Sequence, residues 1–169
     1  QILKRHRDMM FRYDTDDKPI SIIITTLAAR AYNGEKNLLE GLVNVIENME
    51  KSIIKNDKGE DVVPNPVNPE ENFADKWPTH PKRRENFYKW LAAVKKDVHE
   101  ILDGANRIQI QNTMNRVFGK DLITKASSLL VERRKSKLAT GAALLTSTGK
   151  VTASTVGRIV NTANTFYGE

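Results

Sequence analysis

Residues 38–53 read LLEGLVNVIENMEKSI and contain the clearest helical pattern in the first half of the chain. Their apolar residues recur at steps of three and four: Leu38, Leu39, Leu42, Val45, Ile46, Met49 and Ile53. This spacing places a continuous apolar stripe along one face of a helix. The pattern therefore predicts a helix that packs by one side against other helices.

Further helices are predicted on both sides of this segment. The predicted ranges are 1–13, 20–32, 81–103, 107–118 and a helix that begins near 121. Gly or Asn follows several of them, and both residues accept the backbone conformation that ends a helix. The sequence therefore predicts an all-α fold, a helical bundle of about five helices.

A proline-rich segment interrupts the helices. Residues 64–81 hold five of the six prolines, so this stretch cannot be regular helix throughout. We expect a long loop that crosses the bundle, with Phe73 and Trp77 as anchors. Residues 1–138 are predicted to form the helical domain. Residues 139–169, rich in Ala, Thr, Ser and Gly, are predicted to form a partly ordered tail, either mobile or with a short helix around 156–160.

Composition limits the class of function. The chain has 169 residues, no cysteine and a net charge of +6, which favours polyanionic partners such as nucleotides or nucleic acid. No apolar run is long enough to cross a bilayer, so no membrane partner is predicted and a cytoplasmic location is expected. The first residue is Gln1 rather than Met, which suggests a piece of a longer protein.

The residues give no catalytic or metal-binding motif. Asp14 and Asp16 have the spacing of a metal-binding pair, but they lie in a connector that caps the next helix. His6, His80 and His99 are too scattered for a metal site and are expected to be partly exposed. Neither a Gly-x-Ser-x-Gly motif nor a Gly-x-x-x-x-Gly-Lys loop is present. The 169-residue sequence is therefore predicted to contain no catalytic residues and no metal ligands.

Two clusters of cations remain. Residues 133–137 read RRKSK at a predicted helix end, where cations are favourable. Residues 82–84 read KRR at a predicted helix start, where three cations are unfavourable unless an anion lies nearby. Here we favour a solvated run of charge over an anionic partner.

Three stretches together resemble a known family. They are ILKRHRD at 2–8, KPISIIITTLA at 18–28 and VPNPVNPEENFADKW at 63–77. Their order resembles the bacterial relatives of cyclic GMP-AMP synthase and oligoadenylate synthase, the CD-NTase nucleotidyltransferases. The final TFYG at 165–168 is also similar to the end of that family. The resemblance implies that the chain is the C-terminal helical half, which closes the nucleotide cleft against an N-terminal catalytic half.

The resemblance also implies a chemistry. In such proteins a lysine on the basic helix and a serine that opens the next helix contact the triphosphate, and the matching residues are Lys4 and Ser21. Mg²⁺ is held by three carboxylates of the catalytic half, which this chain lacks along with the Gly-Ser turn. The isolated chain is therefore expected to be inactive. The parent protein is expected to make cyclic di- or trinucleotide messengers from nucleoside triphosphates in antiphage (CBASS) defence, with regulatory partner proteins as further partners.

Two other functions stay open. The basic balance is compatible with a helical nucleic-acid-binding module, although no helix-turn-helix spacing or aromatic stacking platform accompanies it. The chain could also be a scaffold for protein partners that uses the proline-rich segment as a docking strip. An exposed Trp77 would favour that scaffold, and a buried Trp77 would favour an anchored loop.

Overall fold

A computed structural model describes residues 1–104 and 106–139 together with the backbone of three short strands in the tail. The chain divides into two compact units, residues 1–120 and residues 121–169. The predicted domain boundary between residues 138 and 139 stays a prediction. Most of the predicted tail, residues 139–169, lies outside the described residues.

Helices make up most of the described chain, and the predicted all-α class is confirmed. The six α-helices are α1 (Ile2–Met10), α2 (Ser21–Ala31), α3 (Leu38–Asn48), α4 (Pro81–Leu102), α5 (Arg107–Phe118) and α6 (Lys120–Ala139). A 3₁₀ turn, Met49–Ser52, continues α3. Within the part of the chain that the structure describes, no helix has the length and apolar character needed to cross a bilayer.

Short strands complete the structure. In the first unit β1 (Ile54–Lys55) pairs antiparallel with β2 (Asp61–Val62). In the tail β3 (Leu144–Thr146) pairs antiparallel with both β4 (Val151–Thr152) and β5 (Arg158–Ile159). The short helix predicted around residues 156–160 is therefore wrong at β5. Its Ile159 is β-branched, and such residues are favoured in strands.

The core of the first unit is built around α2 and α4. Buried aliphatic side chains of α2 belong to the same hydrophobic cluster as Phe87 and Trp90 of α4. The largest fully buried side chains are Trp90, Phe87, Ile23, Ile24, Leu27, Ile46, Met49, Leu91, Val63 and Val94. Each contributes about 1.5–3 kcal/mol through burial of apolar surface. Burial of Ile23 and Ile24, each 1% exposed, explains why this β-branched segment is helical in spite of its strand propensity.

The proline-rich segment crosses the surface between β2 and α4. The side chain of Asn72 accepts hydrogen bonds from the backbone N–H of Val63 and Ala74, each at 2.9 Å. Trp77 is only 5% exposed, with its ring centroid 5.3 Å from that of Phe87. The predicted anchoring by Trp77 is confirmed, and its burial argues against a docking strip that presents this residue.

Candidate functional site

Lys4 lies in the middle of α1, on the side that faces α2. Its side chain is half-buried and lines a cleft bounded by α1, α2 and α3. Within residues 1–104 and 106–139, no group forms a hydrogen bond or ion pair with its ammonium. A cation that is held in place without a counter-charge is suited to bind an anionic ligand.

Ser21 is the first residue of α2. The preceding residue, Ile20, has extended backbone and offers no side chain to cap the helix. The N–H groups of the first turn of α2 therefore receive no side-chain cap, and they add positive potential beside the Ser21 hydroxyl. Ser21 itself is exposed. A serine hydroxyl in this position can act together with backbone donors toward an anion.

Arg7 connects the two helices, and sequence reasoning did not single it out. Its Nη1 donates to the Ser21 hydroxyl oxygen at 2.8 Å and to the Pro19 carbonyl at 2.9 Å. Its position three residues after Lys4 places both on one side of α1, which the sequence can show. The contact with Ser21 depends on how α1 packs against α2, which the sequence does not show.

The cleft beside Lys4 has a volume of about 620 Å³, within the range of small-molecule sites. Its surface is mainly apolar, but polar side chains also line it, among them Thr25, Glu35 and Lys36. Ser21 is not part of this surface and lies one helical turn before Thr25. The structure thus places Lys4 and Ser21 on neighbouring helices. They do not contact each other, but Arg7 lies on the same helix as Lys4 and contacts Ser21.

Two acidic residues of the connector form ion pairs with cations at the start of α4. Asp14 and Asp17 pair with Lys82, and Asp17 also pairs with Arg83. Across residues 1–104 and 106–139, no group of three or more His, Asp or Glu residues has the arrangement to hold a metal ion. Mg²⁺ in nucleotide-binding proteins is commonly held by one or two carboxylates together with phosphate oxygens of the substrate.

The cations at the start of α4 differ from prediction. We expected a solvated run, but each cation has an acidic partner within the chain. Arg84 pairs with the buried Asp61, which also binds Lys55. Burial raises the pKa of Asp61, but the hydrogen bonds from Lys55 and Arg84 outweigh this effect and leave the pKa below its ordinary value. The unfavourable position of these cations is therefore relieved by acids of the same protein.

His6 also differs from prediction. We expected a partly exposed side chain, but His6 is only 3% exposed. Its Nε2 lies 3.0 Å from a carboxylate oxygen of Asp97 in α4. Burial lowers the pKa of His6, and the contact with Asp97 only partly offsets this effect. His6 therefore fixes the side of α1 that faces away from Lys4.

The comparisons with known proteins confirm the resemblance. The chain is similar to two bacterial proteins that are named as cyclic dinucleotide synthases. It is 28% identical over 172 aligned residues to a c-di-GMP synthase of Roseivirga ehrenbergii, and the alignment covers 100% of this chain and 45% of that protein. It is 24% identical over 136 residues to the cyclic dinucleotide synthase CdnG of Bradyrhizobium diazoefficiens, covering 79% of this chain and 33% of CdnG.

A solved structure has the same fold. The structure of Bradyrhizobium diazoefficiens CdnG, a CD-NTase, in complex with GTP superposes with a TM-score of 0.59 and 23% sequence identity. The match covers 76% of this chain and 37% of that structure. No protein-family model matches the sequence. The chain thus spans less than half the length of each of these relatives.

Proposed function

We propose that this chain is the C-terminal helical half of a nucleotidyltransferase that makes cyclic di- or trinucleotides from nucleoside triphosphates. The observation that carries the proposal is the ammonium of Lys4, which has no partner among the described residues and lies one helical turn from an arginine that contacts the Ser21 hydroxyl. Relatives that the chain matches over 100% and 79% of its length are cyclic dinucleotide synthases. This supports the same reaction class for the parent protein.

In this proposal Lys4 and Ser21 bind the triphosphate of the donor nucleotide. The ammonium supplies a compact positive charge, and the hydroxyl supplies a hydrogen-bond donor beside the start of α2. The CdnG structure that shares this fold was solved with GTP, which supports a nucleoside triphosphate as the ligand. In this proposal the chain itself only binds and orients the donor nucleotide.

The chemical step belongs to the other half of the protein. We assign to that half the Gly-Ser turn and the three carboxylates that hold Mg²⁺, since these residues contain neither motif. The metal ions would activate a ribose hydroxyl and stabilise charge at the α-phosphate that it attacks. The isolated chain is accordingly proposed to be inactive, and its parent to work in the cytoplasm in antiphage defence, together with regulatory partner proteins.

The apolar cleft is proposed as the surface that the catalytic half covers. Leu38 is 78% exposed at its rim, and Leu42 and Val45 line its floor. An exposed apolar surface of this kind is typical of an interface with another domain. The coverage of the relatives, 45% and 33%, leaves room in them for a second domain of similar or greater size.

The test uses the full-length protein with ATP, GTP, CTP and UTP in the presence of Mg²⁺. Products are separated by chromatography and identified by mass. Lys4→Ala and Ser21→Ala should each lower kcat/KM by about tenfold or more, the effect of losing a hydrogen bond to a charged group. Lys58→Ala, in the exposed turn between β1 and β2, is the matched control. Absence of any cyclic product, or equal activity in all variants, would contradict the proposal.

The structure gives the nucleic-acid-binding alternative less support than the sequence alone did. It rested partly on the cations at the start of α4, and all three of these are paired with acids of the chain. Binding of random duplex DNA that weakens steeply with salt would restore it.

A further inference from the structure

The guanidinium of Arg7 makes four hydrogen bonds with three separate residues. Nη1 donates to the Pro19 carbonyl at 2.9 Å and to the Ser21 hydroxyl at 2.8 Å. Nε and Nη2 both donate to one carboxylate oxygen of Asp8, at 3.0 and 2.7 Å. Only a planar group with several donors can reach these positions together. Arg7 therefore fixes the entry to α2 and the first side chain of that helix at the same time.

The contact with Ser21 sets the direction of its hydroxyl proton. A serine hydroxyl has one O–H donor and two acceptor lone pairs, and Arg7 occupies one of the lone pairs. The O–H bond must then point away from Arg7. No acceptor among residues 1–104 and 106–139 receives this proton. Because Ser21 is exposed, its hydroxyl remains available to donate to a ligand.

Arg7 is placed to act through Ser21 rather than on a ligand itself. Its side chain is 6% exposed, and its charge is balanced by the adjacent Asp8. Asp8 in turn lies 3.7 Å from Lys18 in the connector. Four of the five N–H donors of this guanidinium are already used within the chain, so at most one N–H on Nη2 remains for an incoming phosphate. Lys4, without a partner in the described residues, differs in this respect.

We propose that Arg7 is a positioning residue that orients the Ser21 hydroxyl as a donor to the phosphate groups of a nucleoside triphosphate. This inference rests on the proposed function, which assigns Ser21 to the triphosphate. It adds a residue that neither the sequence motifs nor the cleft singles out. Loss of Arg7 should weaken nucleotide binding because the Ser21 hydroxyl loses its orientation. The ligand itself loses no direct contact with a positive charge.

A double-mutant cycle in the full-length protein tests the inference. Affinity for non-hydrolysable GTP and ATP analogues with Mg²⁺ is measured by calorimetry for wild type, Arg7→Lys, Ser21→Ala and the double variant. Arg7→Lys keeps the charge but removes the planar set of donors. We expect about tenfold weaker binding in each single variant. We expect no more than about twofold further loss in the double variant, because residues that act as a unit are not additive.

Arg5→Lys is the matched control. Arg5 lies on the same helix, but its Nε donates to the Phe118 carbonyl at 2.9 Å and makes no contact with Ser21. Any loss from Arg5→Lys should be the same with and without Ser21→Ala. Thermal unfolding of each variant separates loss of the fold from loss of the contact.

Three results would overturn the inference in distinguishable ways. Wild-type affinity in Arg7→Lys, or equal loss from Arg7→Lys in both backgrounds, would overturn the role of Arg7 and leave that of Ser21 intact. Wild-type affinity in Ser21→Ala would remove Ser21 from the site, and the role of Arg7 with it. Absence of nucleotide binding by the wild-type protein would overturn the proposed function as well.

Discussion

His6 of α1 and Asp97 of α4 form a buried pair, with 3.0 Å between Nε2 and the carboxylate oxygen. Asp97 also accepts hydrogen bonds from Arg116 of α5, so one carboxylate joins three helices. Because Lys4 and Arg7 lie on the same helix as His6, this junction helps to place the candidate nucleotide-binding residue Lys4 and the guanidinium of Arg7 that contacts Ser21.

Asp97→Ala should lower the free energy of unfolding by about 1–3 kcal/mol. The substitution leaves the buried His6 without its hydrogen-bond partner and removes the partner of Arg116, and an unsatisfied buried polar group costs about 1–3 kcal/mol. Urea unfolding of the 169-residue chain measures the effect. Asp57→Ala, in the exposed turn after β1, is the control and should change stability by less than about 0.5 kcal/mol. Equal effects in the two variants would show that the junction contributes no stability.

Acidification should destabilise the protein through His6. Burial lowers the pKa of His6 in the folded protein. In the unfolded chain His6 takes up a proton near the ordinary pKa of 6.5, while in the folded protein it stays neutral to lower pH. The contribution of neutral His6 to stability is therefore fully present above about pH 6.5. It is lost as the pH falls from there toward the pKa of His6 in the folded protein.

The measurement is the free energy of unfolding at several pH values for wild type and His6→Gln. The glutamine keeps a donor for Asp97 but does not titrate, so its stability should fall less between about pH 7 and 5. His80→Gln, at the exposed start of α4, should keep the wild-type dependence. A wild-type slope that survives in His6→Gln would assign the effect to other groups.

Trp77→Ala should cost about 3–5 kcal/mol of stability, the usual effect of removing a buried aromatic side chain. The indole packs against Phe87 and Tyr88, so its loss leaves a cavity between the proline-rich loop and α4. Val67→Ala provides a control in the same loop, since Val67 is 92% exposed. Thermal unfolding compares the two. A small change in Trp77→Ala would mean that hydrogen bonds such as those of Asn72 hold the loop without it.

Gly119→Ala should destabilise the junction of α5 and α6 by about 1–3 kcal/mol. Gly119 has φ +88°, and a Cβ built there would lie 2.9 Å from the guanidinium of Arg5. Gly59→Ala is the matched control: its φ is +76°, but no atom lies within 4 Å of the added Cβ. The difference between the two variants in urea unfolding measures the cost of displacing Arg5. A Gly119→Ala effect no larger than that of Gly59→Ala would show that Arg5 moves without cost.

Local patterns were sufficient to predict the helices. The three- and four-residue spacing in 38–53 predicted α3, and the proline at 19 marked the entry to α2, which placed Ser21 at a helix start. The proline content of 64–81 predicted the crossing loop. These features depend on residues close together in the chain, which is why the sequence could show them.

Contacts between distant residues could not be predicted in this way. His6 and Asp97 are 91 positions apart, and Arg83 and Asp17 are 66 apart. Whether a histidine is buried, or a cation paired, depends on helix packing that no local pattern encodes. The same holds for Arg7, whose role depends on the angle between α1 and α2. The roles of Lys4 and Ser21 in binding a ligand stay predictions.

The ion pairs at the start of α4 bear on how ionic strength acts on this protein. Lys82, Arg83 and Arg84 join two other segments of the chain, the connector at 14–17 and the strand at 61. Counterions that screen these attractions weaken a tertiary junction rather than a ligand site. The net charge of +6 thus overstates the positive field at this surface, and part of the protein's salt sensitivity resides in its folding equilibrium.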